Sequence, residues 1–391
     1  MFLQVHFLTS YHASLLNRDD AGLAKRISFG GVPRLRVSSQ AQKRHWREWM
    51  IDQSNMPCGV RSRHFFDRAV LQRLIEGGMN EVTARALTLH LAKGILKSAG
   101  GKDALDDTLA MKQPVLFGKP EADYFVELIK EADRQGDEKA AKSYLDEQIS
   151  EMKKNFKALL RQAGINDPAA GFEGALFGRF VTSDILARVD APVHVAHAFT
   201  THALDTEVDF FTVVDDLAKD EETGAAHAND MELGAGIFYG YVAVDVPLLL
   251  QNLTGCERGQ WRAQDSKDAS ALLTLLVRAI TQVSPGAKLG ATAPHARAEC
   301  VVFETGTAQP RSLANAFLSP VKLGEKGAHP MVQSAGAMAQ YIKGLESMYG
   351  KGKDENRYIA TTQPAPWTDQ TTLALEEAIE KSLNDLFGDK Q

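Results

Sequence analysis

Residues 32–47, VPRLRVSSQAQKRHWR, predict a short strand that runs directly into a helix. Arg34 and Arg36 alternate with Leu35 and Val37, so both arginines belong to one face of the strand and both apolar residues to the other. A plain surface helix has no need of arginines on the strand before it. The stretch therefore places two cations immediately ahead of a helix start.

The helix that follows has a capped start and two distinct faces. Ser39 and Gln42 have the spacing of a capping box, with Ser39 as the N-cap. Residues at helical spacing form an apolar stripe of Trp46, Trp49 and Met50 and a polar face of Gln40, Lys43, Arg44 and Arg47. A helix start exposes unpaired N–H groups and the positive end of the dipole, which attract an anion. The pattern favours a cradle for a nucleic-acid backbone, with a solvated cationic face as the alternative.

Composition and charge limit the possible classes of protein. The 391 residues are 44% hydrophobic and 24% charged, which is typical of a soluble globular protein. The net charge is −6, yet residues 1–50 carry eight Lys and Arg against three Asp and Glu. A basic patch on an acidic body is typical of a protein that holds nucleic acid at one surface only. Without a signal peptide or a membrane-length apolar run, a cytoplasmic location is expected.

Metal and redox chemistry find little support in the sequence. Cys58, Cys256 and Cys300 are far apart and form no CxxC pair, which suits a reducing compartment and gives no zinc site. No carboxylate or cysteine stands at a recognisable ligand offset from the histidines of residues 194–202, so they are expected in a core or on backbone hydrogen bonds. No metal and no cofactor is predicted.

The order of elements predicts an α+β fold with an insertion. Helical patterns at residues 65–75, 81–99, 121–134 and 139–162 lie within an inserted block, 57–192. Around it, residues 1–56 and 193–391 give strand, helix, strand, long hairpin, strand, helix and a final strand at 298–304. That order is the ferredoxin-like (RRM-like) βαββαβ arrangement. A C-terminal helix is expected at 373–387, and the hairpin spans 203–235.

Short motifs in a fixed order then indicate a family. They are residues 16–20 (LNRDD), 29–31 (FGG), 34–40 (RLRVSSQ) with Lys43 and Arg44, 196–198 (AHA), 200–202 (TTH), 211–212 (FT), 214–216 (VDD), 285–288 (PGAK) and 315–317 (NAF). In this order they resemble the CasC family, the repeated backbone subunit of the type I-E CRISPR surveillance complex, Cascade. The resemblance covers most of the chain, while the block from 57 to 174 matches poorly.

The resemblance implies a hand-shaped, non-catalytic protein with a ferredoxin-like palm, helical fingers and a β-hairpin thumb. Copies would stack head to tail along the crRNA, bind its phosphates without reading sequence, and kink it periodically so that target DNA can pair. Partners would be the crRNA, target DNA, further copies of the chain, and the large, small, capping and crRNA-processing subunits. The candidate RNA-binding residues are Asn17, Arg18, Lys25, Arg34, Ser38, Ser39, Gln40, Lys43, Arg44, Arg47, Arg179 and Phe180.

The thumb residues would be Phe210, Phe211, Thr212 and Val214. Phe210 and Phe211 are adjacent, so on a strand they face opposite sides, and only one can face the palm. Phe211 is expected to be the apolar wedge at the RNA kink, with Phe210 and Val214 as the alternatives.

Two other functions remain open. One is a metal-dependent RNA endonuclease that uses Asp19, Asp20, Asp215 or Asp216 near the RNA path, although these form no complete acid–base set. The other is a monomeric RRM-like regulator. The sequence lacks the aromatic RNP signature of an RRM, which argues against this function.

Overall fold

The first strand lies at the centre of the largest sheet. In the computed structural model of the chain, Phe2–Ser14 (β1) pairs antiparallel with two later strands and is buried along most of its length. Its side chains are covered on both faces. The ring of Phe7 meets that of Trp46 edge-on with the centroids 6.5 Å apart, and Leu8 packs in a cluster that includes Met338. Two covered faces explain why every residue from Leu3 to Thr9 is buried, whichever face its side chain belongs to.

The structure describes residues 1–96, 105–106, 108–163, 170–179, 186, 189–213, 227–324, 329–352 and 354–388. The chain divides into two compact units. Unit 1 consists of Met1–Gln53, His194–Val246 and Ser270–Gln391, and unit 2 of Ser54–Val193 and Pro247–Ala269.

The strands that follow β1 are Arg26–Phe29 (β2), Val32–Val37 (β3), Gly59–Ser62 (β4), Val115–Gly118 (β5), Val193–Val195 (β6), Ala198–Thr200 (β7), Thr206–Val213 (β8), His227–Asp245 (β9), Ala298–Gly306 (β10), Asn356–Thr361 (β11) and Thr372–Leu373 (β12). The large sheet has the order β12-β11-β10-β1-β9-β7-β3-β2, and β6 and β8 also pair with β9. The predicted strand at 298–304 is confirmed as β10, but it is not the last strand. The sheet continues through β11, which pairs with it antiparallel.

The helices are Ser39–Gln53 (α1), Gln72–Glu76 (α2), Glu81–Leu96 (α3), Lys119–Asp133 (α4), Glu138–Gln162 (α5), Gly171–Phe177 (α6), Val246–Thr254 (α7), Lys267–Gln282 (α8), Leu289–Thr292 (α9), Pro330–Tyr349 (α10) and Leu375–Phe387 (α11). A π-helical turn, Phe66–Leu71, runs into α2. The helices predicted from the sequence in the inserted block and at the C-terminus correspond to this turn together with α2, to α3, α4 and α5, and to α11.

The predicted hairpin is present as β8 and β9. Its register runs from Thr206 opposite Gly234 to Val213 opposite His227. Beyond this hairpin β9 continues into the sheet beside β1, with Leu3 opposite Val244 and Leu8 opposite Tyr239. One long strand therefore links the hairpin to the centre of the sheet.

A two-glycine turn joins β2 to β3. Phe29 pairs with Val32, and the residues between them, Gly30 and Gly31, have φ angles of +63° and +80°. Positive φ at both positions is what the tight hairpin turn needs. A Cβ on Gly30 would also overlap the carbonyl oxygen of Leu318. The glycines of the FGG motif therefore serve the turn and its packing against the chain itself.

Unit 2 is built mainly from helices around aromatic side chains. The rings of Phe65 and Phe117 stack with centroids 4.0 Å apart, and those of Phe125 and Phe156 stack at 5.8 Å. β4 and β5 form a separate small sheet. In the part of the chain that the structure describes, no helix is both long and apolar enough to cross a membrane.

Candidate nucleic-acid interface

The start of α1 is capped by Ser38, one residue earlier than the sequence predicted. The Ser38 Oγ accepts a hydrogen bond from the Ala41 N–H at 3.2 Å, and its carbonyl oxygen accepts one from the Gln42 N–H at 3.1 Å. Ser39 is therefore the first helical residue, and its assignment as the N-cap was wrong. Both serines are largely buried. The capping residue and the dipole together make this helix start a place that favours an anion.

Gln42 does not close a capping box. Its side-chain Nε2 instead donates to the Ala196 carbonyl at 3.0 Å and to that of Val37 at 3.4 Å. The Gln42 side chain is buried, and its amide links α1 to the chain just before β7. Gln42 therefore fixes the helix start against the sheet.

Asn17 supports the same helix start from the loop that follows β1. Its Oδ1 accepts the Ser38 N–H at 3.0 Å, and its carbonyl accepts the Lys25 N–H at 2.8 Å. The Lys25 carbonyl in turn accepts the Arg36 N–H at 2.8 Å. Asn17 thus acts by positioning Ser38 and Lys25. Arg18 lies on the exposed part of this loop.

Glu232 ties the loop after β1 to the hairpin, and this contact was not predicted. One carboxylate oxygen accepts the Ala24 N–H at 2.9 Å, and the other forms an ion pair with Arg26. Glu232 lies on β9 opposite Val208 of β8. Its partners are more than 200 residues earlier in the sequence, so no local pattern could have indicated the contact. The loop between β1 and β2, which carries Lys25, is therefore held in a fixed position relative to the β8–β9 hairpin.

The polar face of α1 carries the cations that the sequence predicted there. Gln40 and Arg44 are exposed, and Lys43 and Arg47 are half-buried. Arg44 forms an i,i+4 ion pair with Glu48 at 2.9 Å, in which both side chains are largely exposed. On the opposite face Trp46 and Met50 are buried, as expected. We name the surface of Lys25, Arg36, Gln40, Lys43, Arg44 and Arg47 the basic ridge.

Arg34 does not belong to the basic ridge, and its assignment to RNA is corrected. The residue is completely buried. Its guanidinium donates to the carbonyls of Thr200 and Phe317 at 2.8 Å each, and to those of Phe29 and His202 at 3.3 and 3.4 Å. Arg36 lies on the same strand face but is only half-buried, and its guanidinium reaches the exposed His197.

Arg179 is corrected in the same way. It is buried in unit 2 and lies 2.7 Å from a carboxylate oxygen of Glu121, which is itself completely buried. A second bond at 3.4 Å reaches the Leu116 carbonyl. Since a guanidinium buried inside unit 2 is not accessible to RNA, Arg179 instead holds β5 and α4 together. Phe180 lies outside the described residues.

The β8–β9 hairpin presents apolar side chains to solvent. Val208 and Phe210 are 70% and 66% exposed, and they lie two residues apart on one face of β8. The backbone of Phe211 and Thr212 belongs to β8, and their side chains are not described. Val214 lies outside the described residues. Among the residues that the structure describes, this exposed valine and phenylalanine form an apolar strip on the surface of the hairpin.

Asp19 and Asp20 are the acidic residues of the loop that follows β1, and both are exposed. The Asp19 Oδ1 accepts the N–H groups of Ala21 and Leu23 at 3.0 and 2.9 Å, which closes the loop. Asp215 and Asp216 lie outside the described residues. Among the residues with described positions, no group of three His, Cys, Asp or Glu could hold a metal ion.

Two histidines of residues 194–202 have different surroundings. His202 is buried and bonds the backbone of Ala203 and Ile237, as the sequence suggested. His197 is exposed and lies beside Arg36, with 2.6 Å between Nδ1 and Nη1. The sequence prediction missed this contact because the two residues are 161 positions apart.

The fold and the site together define a mixed α/β protein that carries the basic ridge at the start of one helix. The chain belongs to the family of CT1975-like proteins, whose model matches residues 3–388. This match confirms the resemblance to the CasC family seen in the sequence. No curated protein matches the chain by sequence.

Two solved structures have the same fold. A chain of a "CRISPR RNA-guided surveillance complex, pre-nicking" is 25% identical with a TM-score of 0.74, and the match covers 96% of this chain and 94% of that chain. A chain of a "CRISPR RNA-guided surveillance complex" is 21% identical with a TM-score of 0.60, over 99% of this chain and 100% of the other. At 21% identity, the match to the second structure shows a common fold and nothing more.

Proposed function

We propose that this protein is the non-catalytic crRNA-binding backbone subunit of a cytoplasmic type I-E CRISPR surveillance complex. The observation that carries the proposal is the basic ridge at the capped start of α1, in a chain of this family. Backbone N–H groups of a first helical turn together with nearby lysines and arginines bind phosphates without reading bases. The partners would be the crRNA, the target DNA held by the complex, and the other Cascade subunits.

The sheet order supports a ferredoxin-like palm. Its central strands run β10-β1-β9-β7, with α1 between β3 and β7 and α8 between β9 and β10 along the chain. This is the antiparallel order that a βαββαβ unit gives when its last strand lies beside its first. On this reading unit 2 is the finger insertion and the β8–β9 hairpin is the thumb.

Stacked copies would turn one ridge into a continuous track. A head-to-tail interface repeats without closing, so each added copy extends the same basic surface along the RNA. The net charge of −6 for the whole chain then keeps other faces of the assembly from binding nucleic acid unspecifically. This combination explains a local basic ridge on an acidic protein.

Assembly on RNA tests the proposal directly. Full-length protein freed of nucleic acid is mixed with single-stranded RNA oligonucleotides of increasing length, and the mass of the complexes is measured by light scattering. We expect the number of bound copies to rise stepwise with RNA length. A single bound copy at every length would contradict the backbone role and favour an RRM-like regulator.

The same samples address the endonuclease alternative. The RNA is labelled at one end and incubated with Mg²⁺ or Mn²⁺, and its length is followed on a denaturing gel. Intact RNA is expected, because the Asp19 carboxylate is occupied by loop N–H groups. Cleavage at regular intervals would instead favour the endonuclease, since a backbone subunit that cuts would do so once per bound copy.

The thumb gives a prediction of its own. Replacing Phe210 by alanine should leave the protein folded and reduce RNA affinity only moderately, because the ridge supplies most of the binding. The periodic interruption of the RNA should weaken, since an apolar wedge between bases is what fixes a kink. Chemical probing of the bound RNA measures the pattern, and Phe211→Ala serves as the comparison. If only Phe211→Ala removes the periodicity, Phe211 is the wedge.

A further inference from the structure

His197 and Arg36 face each other across neighbouring strands. Arg36 of β3 pairs with Phe199 of β7, and His197 immediately precedes β7. The Arg36 Nη1 lies 2.6 Å from the His197 Nδ1. Because a guanidinium can only donate, Nδ1 must accept this hydrogen bond, and the neutral ring carries its proton on Nε2. The imidazole is exposed, so a ligand can reach it.

The surroundings of His197 oppose a positive charge on its ring. Partial burial and the charges of Arg36, Lys25 and Lys43 lower the pKa of His197 below its ordinary value of 6.5. These charges come from β3, from the loop before β2 and from α1, and all of them are cationic. Protonation of Nδ1 would also break its hydrogen bond with Arg36. The free protein therefore keeps this histidine neutral at neutral pH.

A bound phosphate would reverse both effects. Its oxygens can accept hydrogen bonds from the Arg36 guanidinium and from a protonated Nδ1 together, so the two cationic groups no longer face each other directly. Its negative charge also offsets Lys25 and Lys43. We propose that Arg36 and His197 bind the same RNA phosphate, and that His197 takes a proton from solvent onto Nδ1 when they do. This inference rests on the proposed RNA-binding function.

The consequence is RNA binding that strengthens as the pH falls. The complex would hold a proton that the free protein does not, in the pH window between the lowered pKa of the free protein and the higher pKa of the complex. If binding raises the pKa of His197 by about one pH unit, the affinity for RNA increases up to about tenfold as the pH falls through that window. Outside the window the affinity should not depend on this residue's titration.

The test compares three variants of the full-length protein with the parent. His197→Gln keeps a hydrogen-bonding side chain without a titration, and His197→Lys keeps a charge at every pH. His194→Gln removes another exposed histidine of unit 1 as the matched control. Affinity for an oligouridylate is measured from pH 5.5 to 8. Calorimetry in two phosphate-free buffers of different ionisation enthalpy counts the protons taken up.

The parent and His194→Gln should show the same pH-dependent affinity gain, up to about tenfold, with proton uptake on the acidic side of that range. His197→Gln should lose that gain and the uptake, and His197→Lys should bind tightly at both ends of the range. Equal proton uptake in His197→Gln and the parent would overturn the inference while leaving RNA binding intact. Failure of every protein to bind RNA at any pH would instead overturn the proposed function.

Discussion

Replacing Arg34 by alanine is expected to lower the free energy of unfolding of unit 1 by about 3–5 kcal/mol. The guanidinium donates to the carbonyl oxygens of Thr200 and Phe317 at 2.8 Å, and the residue has no exposed surface. Alanine would leave these carbonyls buried without a donor and would open a cavity where the side chain was. Each unsatisfied buried acceptor costs about 1–3 kcal/mol.

Tryptophan fluorescence during urea unfolding measures this effect. Trp46, Trp49 and Trp367 belong to unit 1 and Trp261 to unit 2. With Trp261→Phe in every protein, the signal reports unit 1 alone. Arg36→Ala is the matched control, because it removes the same side chain from the same strand face where solvent reaches it. The control should stay within about 0.5 kcal/mol of the parent. Equal stability of the two variants would mean that Arg34 does not hold the sheet.

The same two variants, Arg34→Ala and Arg36→Ala, distinguish a loss of stability from a loss of RNA affinity. Arg36→Ala should weaken RNA binding at unchanged stability, since Arg36 lies on the basic ridge. Folded Arg34→Ala, at low urea and low temperature, should bind RNA as tightly as the parent per active molecule. The alternation of residues 34–37 predicted the shared face of both arginines correctly, but it could not show which end of that face a later segment covers.

Local patterns predicted local structure well. The apolar stripe of α1, the β8–β9 hairpin and the helices of unit 2 follow from periodicities within a single stretch, because a helix face or a strand pair needs no distant information. The N-cap shifted by one residue, since Ser38 and Ser39 are both good caps and only the Asn17 contact at 3.0 Å selects Ser38. β11 was missed because β10, the strand that it pairs with along its length, lies far from it in the sequence.

The site was predicted less completely than the fold. The cations of α1 were found from helical spacing. The roles of Arg34, Arg179, Glu232 and His197 depend on partners that lie 58 to 283 residues away in the sequence. Charge alone suggests RNA for any arginine near a basic stretch. Burial decides which of them remain available, and burial depends on segments that only the folded chain brings together.

On the proposed function, the cations of α1 would act through released counterions, so their effect on RNA affinity should depend on the salt concentration. Each phosphate contact to a single strand contributes about 0.7 to the slope of log affinity against log salt concentration. The Arg44–Glu48 pair is exposed on both sides, so exchanging Glu48 for a phosphate costs little. Lys43, Arg44 and Arg47 together should therefore account for a slope of about 2.

Replacing these three residues by alanine is expected to weaken RNA binding about 100-fold at 0.1 M salt, equally for all RNA sequences. The loss should shrink as salt rises, and the lines for variant and parent should meet near 1 M, because counterion release no longer contributes there. Affinities measured across salt concentrations by fluorescence anisotropy test this. The triple variant Lys343→Ala, Lys351→Ala and Lys381→Ala removes the same charge from α10, the residues after it and α11. An equal loss in that control would show that net charge binds the RNA, and parallel lines for the α1 variant would mean that its three cations do not contact phosphates.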